Sequence, residues 1–165
     1  MTHTVRIATN LGVIEIGLDR NHAPVTVDNF LKYVNDGFYP GTVFHRVVRD
    51  FVIQGGGFAR VGGVLTQKTA TYPAIALESN TGLSNLRGTI AMARTNAASS
   101  ATSQFYINTV DNTALNYPGS DGVGGYAVFG KVTAGMAVVD AIRAVAVTNE
   151  VPNVDITITA VQLVA

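Results

Sequence analysis

The sequence predicts a mainly β domain, a closed or nearly closed sheet accompanied by two helices. Three observations carry that reading. The chain begins and ends on strand-like alternation, in "TVRIAT", "GVIEIGLD" and "NVDITITAVQLVA". Most of what lies between is short strand-like runs separated by loops, and only two segments show the helical period. A sheet with so many short strands removes its exposed edges by closing on itself.

The first two runs are joined by Asn10-Leu11-Gly12, a turn-competent link. In the second run Ile14, Ile16 and Leu18 share a face, because strand side chains alternate. The first helix is predicted in "APVTVDNFLKYVNDGF", where Val27, Phe30, Leu31 and Val34 recur at i, i+3, i+4 and i+7. Pro24 suits its first turn, and Asn35-Asp36-Gly37 is a stop signal. The second helix is predicted in "TAGMAVVDAIRAV" from Val138, Ile142 and Val145, with Thr133 as candidate cap. In the tail, Val154, Ile156 and Ile158 face one way and Asp155, Thr157 and Thr159 the other. "RTNAASSATS" reads as a small, polar surface loop and "NYPGSDGVGG" as a glycine-rich one. Loops on a rigid frame are where binding groups usually sit. No repeat or linker divides the chain, so residues 1–165 are read as a single domain.

Composition narrows the function. Hydrophobic residues make up 47% of the 165 and charged ones 13%, as in a packed globule rather than a disordered chain. Eleven Lys and Arg balance eleven Asp and Glu, which argues against nucleic acid or an anionic membrane as partner. There is no cysteine, so disulfides, thiol nucleophiles and zinc–cysteine sites are excluded. No window approaches the roughly 20 apolar residues of a membrane span. The start, "MTHTVRIATN", has no signal-peptide pattern, so a cytoplasmic location is expected.

The stretch "TVFHRVVRDFVIQGGG", residues 42–57, sets a histidine and an arginine inside a run of strand formers. Alternation places Arg46 with Phe44 and Val48 on one face, Val52 with Gln54 on one face further on, and Arg49-Asp50 as a turn or bulge that brings Phe51 near Arg46. His45 then lies mid-strand on the opposite face, where a hydrogen-bonded structural histidine is favoured over a metal ligand. His3 and His22 are read as surface residues. Gly55, Gly56, Gly57, Gly62 and Gly63 do not make a phosphate loop, since Gly63 and Val64 stand where lysine and serine or threonine belong. Ser99, Ser100 and Ser103 lack a nucleophile elbow. On composition and periodicity alone Arg46 is more readily a solvated or ion-paired residue than a binding group.

"FHRVVRDFVIQGGGF" resembles the signature of cyclophilin-type peptidyl-prolyl cis-trans isomerases, and "RGTIAMARTNAASSATSQFYIN" and "GYAVFGKVTAGMAVVDAI" resemble the family's second and third blocks in their bacterial form. The helix "APVTVDNFLKYVNDGFY" and "GTVFHR" also fit, so the resemblance covers nearly the whole chain in order. It implies a closed eight-stranded antiparallel barrel capped by a helix at each end, with a solid interior and a shallow groove outside. It implies Arg46 and Gln54 as catalytic residues, Gln54 orienting the arginine. Phe51, Val52, Tyr106, Leu115 and Tyr126 line the implied proline pocket, Ala93 and Arg94 lie in the segment that pairs with a bound peptide, and Gln104 is the glutamine of the second block.

Tyr106 replaces the usual pocket phenylalanine, and burying its hydroxyl without a partner costs about 1–3 kcal/mol. Val52 stands where methionine is usual. Ala114 stands where eukaryotic members often carry a tryptophan that contacts cyclosporin, so weak cyclosporin binding is expected. The implied reaction is rotation about X–Pro bonds in proline-containing peptides and folding proteins, with no metal or cofactor. The balanced charge and the lack of a long apolar stripe on the helices make a monomer the default expectation. Two alternatives stand beside it: a non-catalytic proline-binding or chaperone module on the same fold, and a barrel that carries small apolar ligands.

Overall fold

A computed structural model describes residues 1–120 and 122–165, so Asp121 of the predicted glycine-rich loop lies outside the described residues. The strands are β1 (His3–Thr9), β2 (Gly12–Leu18), β3 (Thr42–Val43), β4 (Arg46–Val48), β5 (Val52–Gly55), β6 (Phe58–Val61), β7 (Val64–Gln67), β8 (Thr89–Met92), β9 (Phe105–Asn108), β10 (Val128–Ala134), β11 (Val147–Thr148), β12 (Val151–Pro152) and β13 (Ile158–Leu163). Helix α1 spans Pro24–Asn35, α2 spans Met136–Arg143, and a 3-10 turn covers Thr113–Leu115.

Eight strands form one sheet in the order β13-β1-β2-β10-β8-β9-β5-β4, with every neighbouring pair antiparallel. The sheet curls into a barrel, but closure is not strict: β4 and β13 do not pair as strands. Single backbone bonds bridge the seam. The N–H groups of Gly41 and Phe44 donate to the carbonyls of Ile158 and Ile156, at 2.8 and 2.9 Å. Closely packed apolar side chains fill the interior, with Ile7, Ile16, Phe44, Ile53, Phe105 and Phe129 all at most 1% exposed. Phe30 of α1 meets Phe105 edge-on, with ring centroids 5.8 Å apart. An interior filled by ring contacts of this kind leaves the ligand-carrier reading without support.

The helices close opposite ends. Helix α1 follows the far end of β2, whereas α2 sits against its start, where Gly135 lies so close to Val13 that an added Cβ would stand 2.3 Å from its carbonyl oxygen. Gly135 also has φ 87°, which turns the chain from β10 directly into α2. Gly135, not Thr133, therefore holds the cap position. Thr133 is still in β10 and gives its hydroxyl to Glu15 Oε1 at 3.1 Å. Val139, outside the predicted apolar set, is fully buried beside Ile142.

Two face assignments change. Val154 is 78% exposed while Ile156 and Ile158 are buried, because the chain bends after β12 and β13 starts only at Ile158. Phe44 points into the core, away from the face of Arg46. The predicted single strand is broken at Phe44-His45, where the chain leaves its pairing with β6 and takes up β5, so alternation restarts at Arg46. His45 lies in that break rather than mid-strand. Its ring packs on Phe58 with centroids 4.3 Å apart, and its Nδ1 is buried without a hydrogen-bond partner among the described residues, unlike the hydrogen-bonded histidine expected.

Candidate active site

The site grows out of the β4–β5 hairpin. Its turn, Arg49-Asp50-Phe51, closes with Phe51 N–H donating to Val48 O at 3.0 Å and with no residue in the left-handed region. That geometry explains why no glycine is needed there. The turn is tied down from β9 and beyond: Thr109 Oγ1 donates to Arg49 O and Asn112 Nδ2 to Phe51 O, both at 2.9 Å.

Register then aligns one cross-strand row, Arg46–Gln54–Tyr106–Ala91–Val128, over β4, β5, β9, β8 and β10. Alternation sends Val47, Ile53, Phe105, Ile107 and Ile90 into the barrel. The outward set, Val52, Ala91, Tyr106 and Val128, forms a second apolar cluster, with Phe51, Ala93, Leu115 and Tyr126 packed on it. The barrel thus has a greasy patch on its outer wall as well as a core. A groove of about 250 Å³ lies on this patch, lined by Arg46, Phe51, Val52, Gln54, Ala93, Arg94, Tyr106, Leu115 and Tyr126. Gln104, the remaining predicted residue, lines an adjoining groove of about 150 Å³ that shares Gln54, Ala93 and Arg94.

The Tyr106 hydroxyl has a partner. It donates to Asn85 Oδ1 at 2.7 Å, and Asn85 is wholly buried. Asn108 Nδ2 donates to the same oxygen at 3.1 Å and Asn112 Nδ2 to Asn108 Oδ1 at 2.8 Å, so the wall of the groove and the Phe51 turn share one amide network. Burial, reinforced by the nearby Tyr126, pushes the Tyr106 phenol well above its ordinary range, so it stays a neutral donor.

Arg46 lies with Cζ 5.9 Å from the Phe51 ring centroid, within reach of the aromatic face. The expected contact from Gln54 is not made: Gln54 Nε2 donates to Gln104 Oε1 at 3.2 Å. The partner of Arg46 is Glu150, whose Oε1 accepts from Arg46 Nε at 3.1 Å. Arg94 is fixed by its own loop, donating from Nε to Gly125 O at 2.9 Å and from Nη1 to Thr95 O at 2.8 Å. Its guanidinium lies 4.6 Å over the Tyr126 ring, which in turn meets Tyr106 edge-on at 5.8 Å. Ala93 N–H already donates to Gln104 O at 3.0 Å, and Tyr126 N–H ties the Leu115 carbonyl at 2.9 Å.

Sequence reasoning missed Glu150 and Asn85. The requirement that a buried Tyr106 hydroxyl find an acceptor pointed to a residue like Asn85 without naming it; nothing in the pattern pointed to Glu150. Among the described residues no group of three or more His, Asp or Glu side chains could hold a metal ion, and no helix is long and apolar enough to cross a membrane.

The model of the family described as cyclophilin type peptidyl-prolyl cis-trans isomerase/CLD matches residues 4–163. The chain belongs to that family. It is 52% identical over 151 residues to peptidyl-prolyl cis-trans isomerase A of Dickeya dadantii, covering 92% of this chain and 76% of that protein. It is 49% identical over 163 residues to peptidyl-prolyl cis-trans isomerase B of Escherichia coli, covering 95% and 97%. Among solved structures, a Cryptosporidium parvum cyclophilin type isomerase crystallised in the presence of the dipeptide Ala-Pro superposes with a TM-score of 0.84 at 27% identity, covering 98% of this chain and 99% of that one. The activity of the chain is accordingly peptidyl-prolyl cis-trans isomerisation.

Proposed function

We propose that the outer groove is where the X–Pro bond turns, with Arg46 as the catalytic group and the Phe51–Val52–Tyr106–Leu115 wall as the seat of the proline ring. The observation that carries this is the cross-strand row that sets the Arg46 guanidinium at the rim of a groove whose wall is the apolar Phe51, Val52 and Leu115 with the Tyr106 ring. The amide C–N bond has partial double-bond character and a rotational barrier of about 18–20 kcal/mol. As it twists, conjugation is lost and the proline nitrogen becomes a better acceptor. A guanidinium aimed at that nitrogen therefore binds the twisted state more strongly than the planar one.

Accelerating the rotation by about 10⁵ requires roughly 7 kcal/mol. One charge-assisted hydrogen bond contributes about 1.5–3 kcal/mol. The remainder falls to the wall that holds the ring, and to Gln54, Gln104 and the Ala93–Arg94 backbone that hold the flanking peptide. Water exclusion by the wall strengthens the arginine's bond. Proline-containing peptides and folding proteins are the substrates in this reading, supported by the Ala-Pro dipeptide named for the Cryptosporidium relative. Weak cyclosporin binding is part of it, since exposed Ala114 offers no indole. So are a cytoplasmic site of action and a monomer, which cell fractionation and light scattering test.

The deciding experiment is turnover of a cis-proline peptide by the wild type and by Arg46→Ala with folding verified. A fall in kcat/KM of about a hundredfold or more, equal to about 2.7 kcal/mol, is expected. Near-normal turnover in the variant refutes the role given to Arg46.

A further inference from the structure

The β11–β12 hairpin has a two-residue turn, Asn149-Glu150, with φ of 50° and 69°. Among the described residues these are the only non-glycine positions with positive φ. A two-residue hairpin turn with both central residues left-handed favours Asn followed by Gly. Asn149 fits the preference. Glu150 does not: its Cβ makes the left-handed conformation strained, and glycine would adopt it freely. Strain of this kind persists where a side chain is needed, and the side chain here ends on Arg46.

We infer that Glu150 is the positioning residue of the isomerase, holding the Arg46 guanidinium in its working orientation. This rests on the proposed role of Arg46 above. The turn is docked before the side chain acts: Val47 N–H, next to Arg46 on β4, donates to Glu150 O at 2.7 Å. Thr148 Oγ1 donates to Asn153 Oδ1 at 2.7 Å and Asn153 N–H to Ala146 O at 3.0 Å, which brace the hairpin. From that platform Glu150 Oε1 accepts a hydrogen bond from Arg46 Nε–H at 3.1 Å.

Bonding at Nε fixes the plane of the fork, and no hydrogen bond within the described residues occupies its two terminal amino groups. Those groups are left for the substrate. Without the carboxylate, the long Arg46 side chain, 39% exposed, samples many rotamers, and only some aim at the groove. Gln54, the residue expected to orient the arginine, is engaged with Gln104 instead.

Glycine separates this role from a structural one, because Glu150→Gly relieves the backbone while removing the side chain that carries the carboxylate. Its Tm is expected to hold or to rise by about 2–4 °C. Its kcat on a cis-proline peptide is expected to fall about tenfold, with KM changed less than about twofold. Glu150→Gln keeps an acceptor at the same reach and should recover turnover to within about threefold of wild type. In the Arg46→Ala background Glu150→Gly should add nothing, since the two act as a unit. Unchanged kcat in Glu150→Gly, beside a large loss in Arg46→Ala, overturns the positioning role alone. So does a loss of kcat that tracks a lowered Tm, or an additive loss in the double variant. Unchanged turnover in Arg46→Ala instead overturns the reading of the groove itself.

Discussion

Tyr106 and Asn85 meet in the wall behind the groove, phenol to amide oxygen at 2.7 Å, with both side chains almost wholly removed from solvent. The wall of the groove thereby carries a hydroxyl without an unpaired polar group. Tyr106→Phe removes the donor, but Asn85 Oδ1 keeps Asn108 Nδ2 as a partner. The expected cost is about 1 kcal/mol of stability, with kcat/KM within about twofold. Asn85→Ala strands the Tyr106 hydroxyl and also removes the amide that donates to Asn116 Oδ1 at 3.0 Å, and should cost about 2–3 kcal/mol. Urea unfolding of the two variants checks the order; equal losses would mean that the shared network is not what holds the wall.

Gly55, which ends β5, and Gly57, two residues beyond it, predict opposite phenotypes. A Cβ at Gly55 would stand 2.9 Å from Val43 O and 3.1 Å from Phe44 Cα, both backbone atoms that cannot step aside. Gly55→Ala should therefore lower stability by about 1–3 kcal/mol. At Gly57 the intruding neighbour is the side chain of Gln104, with Cγ at 2.2 Å, and its amide is the partner of Gln54. Gly57→Ala should spare most of the stability and displace Gln104. Peptide turnover should fall about threefold to tenfold, mainly through KM, because a positioning group rather than Arg46 is disturbed. Unfolding curves and steady-state kinetics on both variants separate the cases.

Arg94 predicts a third pattern. Its guanidinium spans Tyr126 and the carbonyls of Gly125 and Thr95, so it clamps the loop that closes the groove rather than reaching into open solvent. Arg94→Lys keeps the charge and loses the fork that reaches two carbonyls at once. The expected result is a KM raised about threefold with kcat little changed, measured on a proline peptide. An unchanged KM would leave Arg94 without a part in shaping the groove.

The fold is legible in local patterns, since alternation marks the strands and the 3.6-residue period the two helices. The groove is legible only through the family resemblance: periodicity pairs Val52 with Gln54 but leaves Arg46 a solvated or ion-paired residue and does not place Tyr106, Leu115 or Tyr126. What escaped was set by distant partners. Glu150 is 104 positions from Arg46, and Asn85 is 21 from Tyr106, with no periodicity linking either pair. Alternation misplaces Phe44 for a related reason: the chain changes sheet partner at Phe44-His45 with neither glycine nor proline to mark the corner. The cap that composition suggests at Thr133 is provided by Gly135 through its backbone alone.

His45, at that same corner, predicts how stability responds to acid. Burial, then the charge of Arg46 beside it, lowers its pKa from 6.5 to about 4. Between those values the unfolded chain binds a proton that the folded chain refuses. The contribution is therefore complete above about pH 6.5, shrinks as the pH falls, and is spent once the pH passes below about 4, for a total of about 3 kcal/mol. Asp28 and Asp140, held below their usual range by hydrogen bonds from Arg20 and Arg87, act in the same direction but at lower pH. The interval from pH 6.5 to 4.5 thus isolates the histidine from those two carboxyls. His45→Phe preserves the stack on Phe58 and removes the titrating nitrogen. Its urea midpoint should be nearly level across that interval, while the wild-type midpoint falls steadily. Parallel curves for the two proteins would show that His45 takes up its proton without opening the corner between β3 and β4.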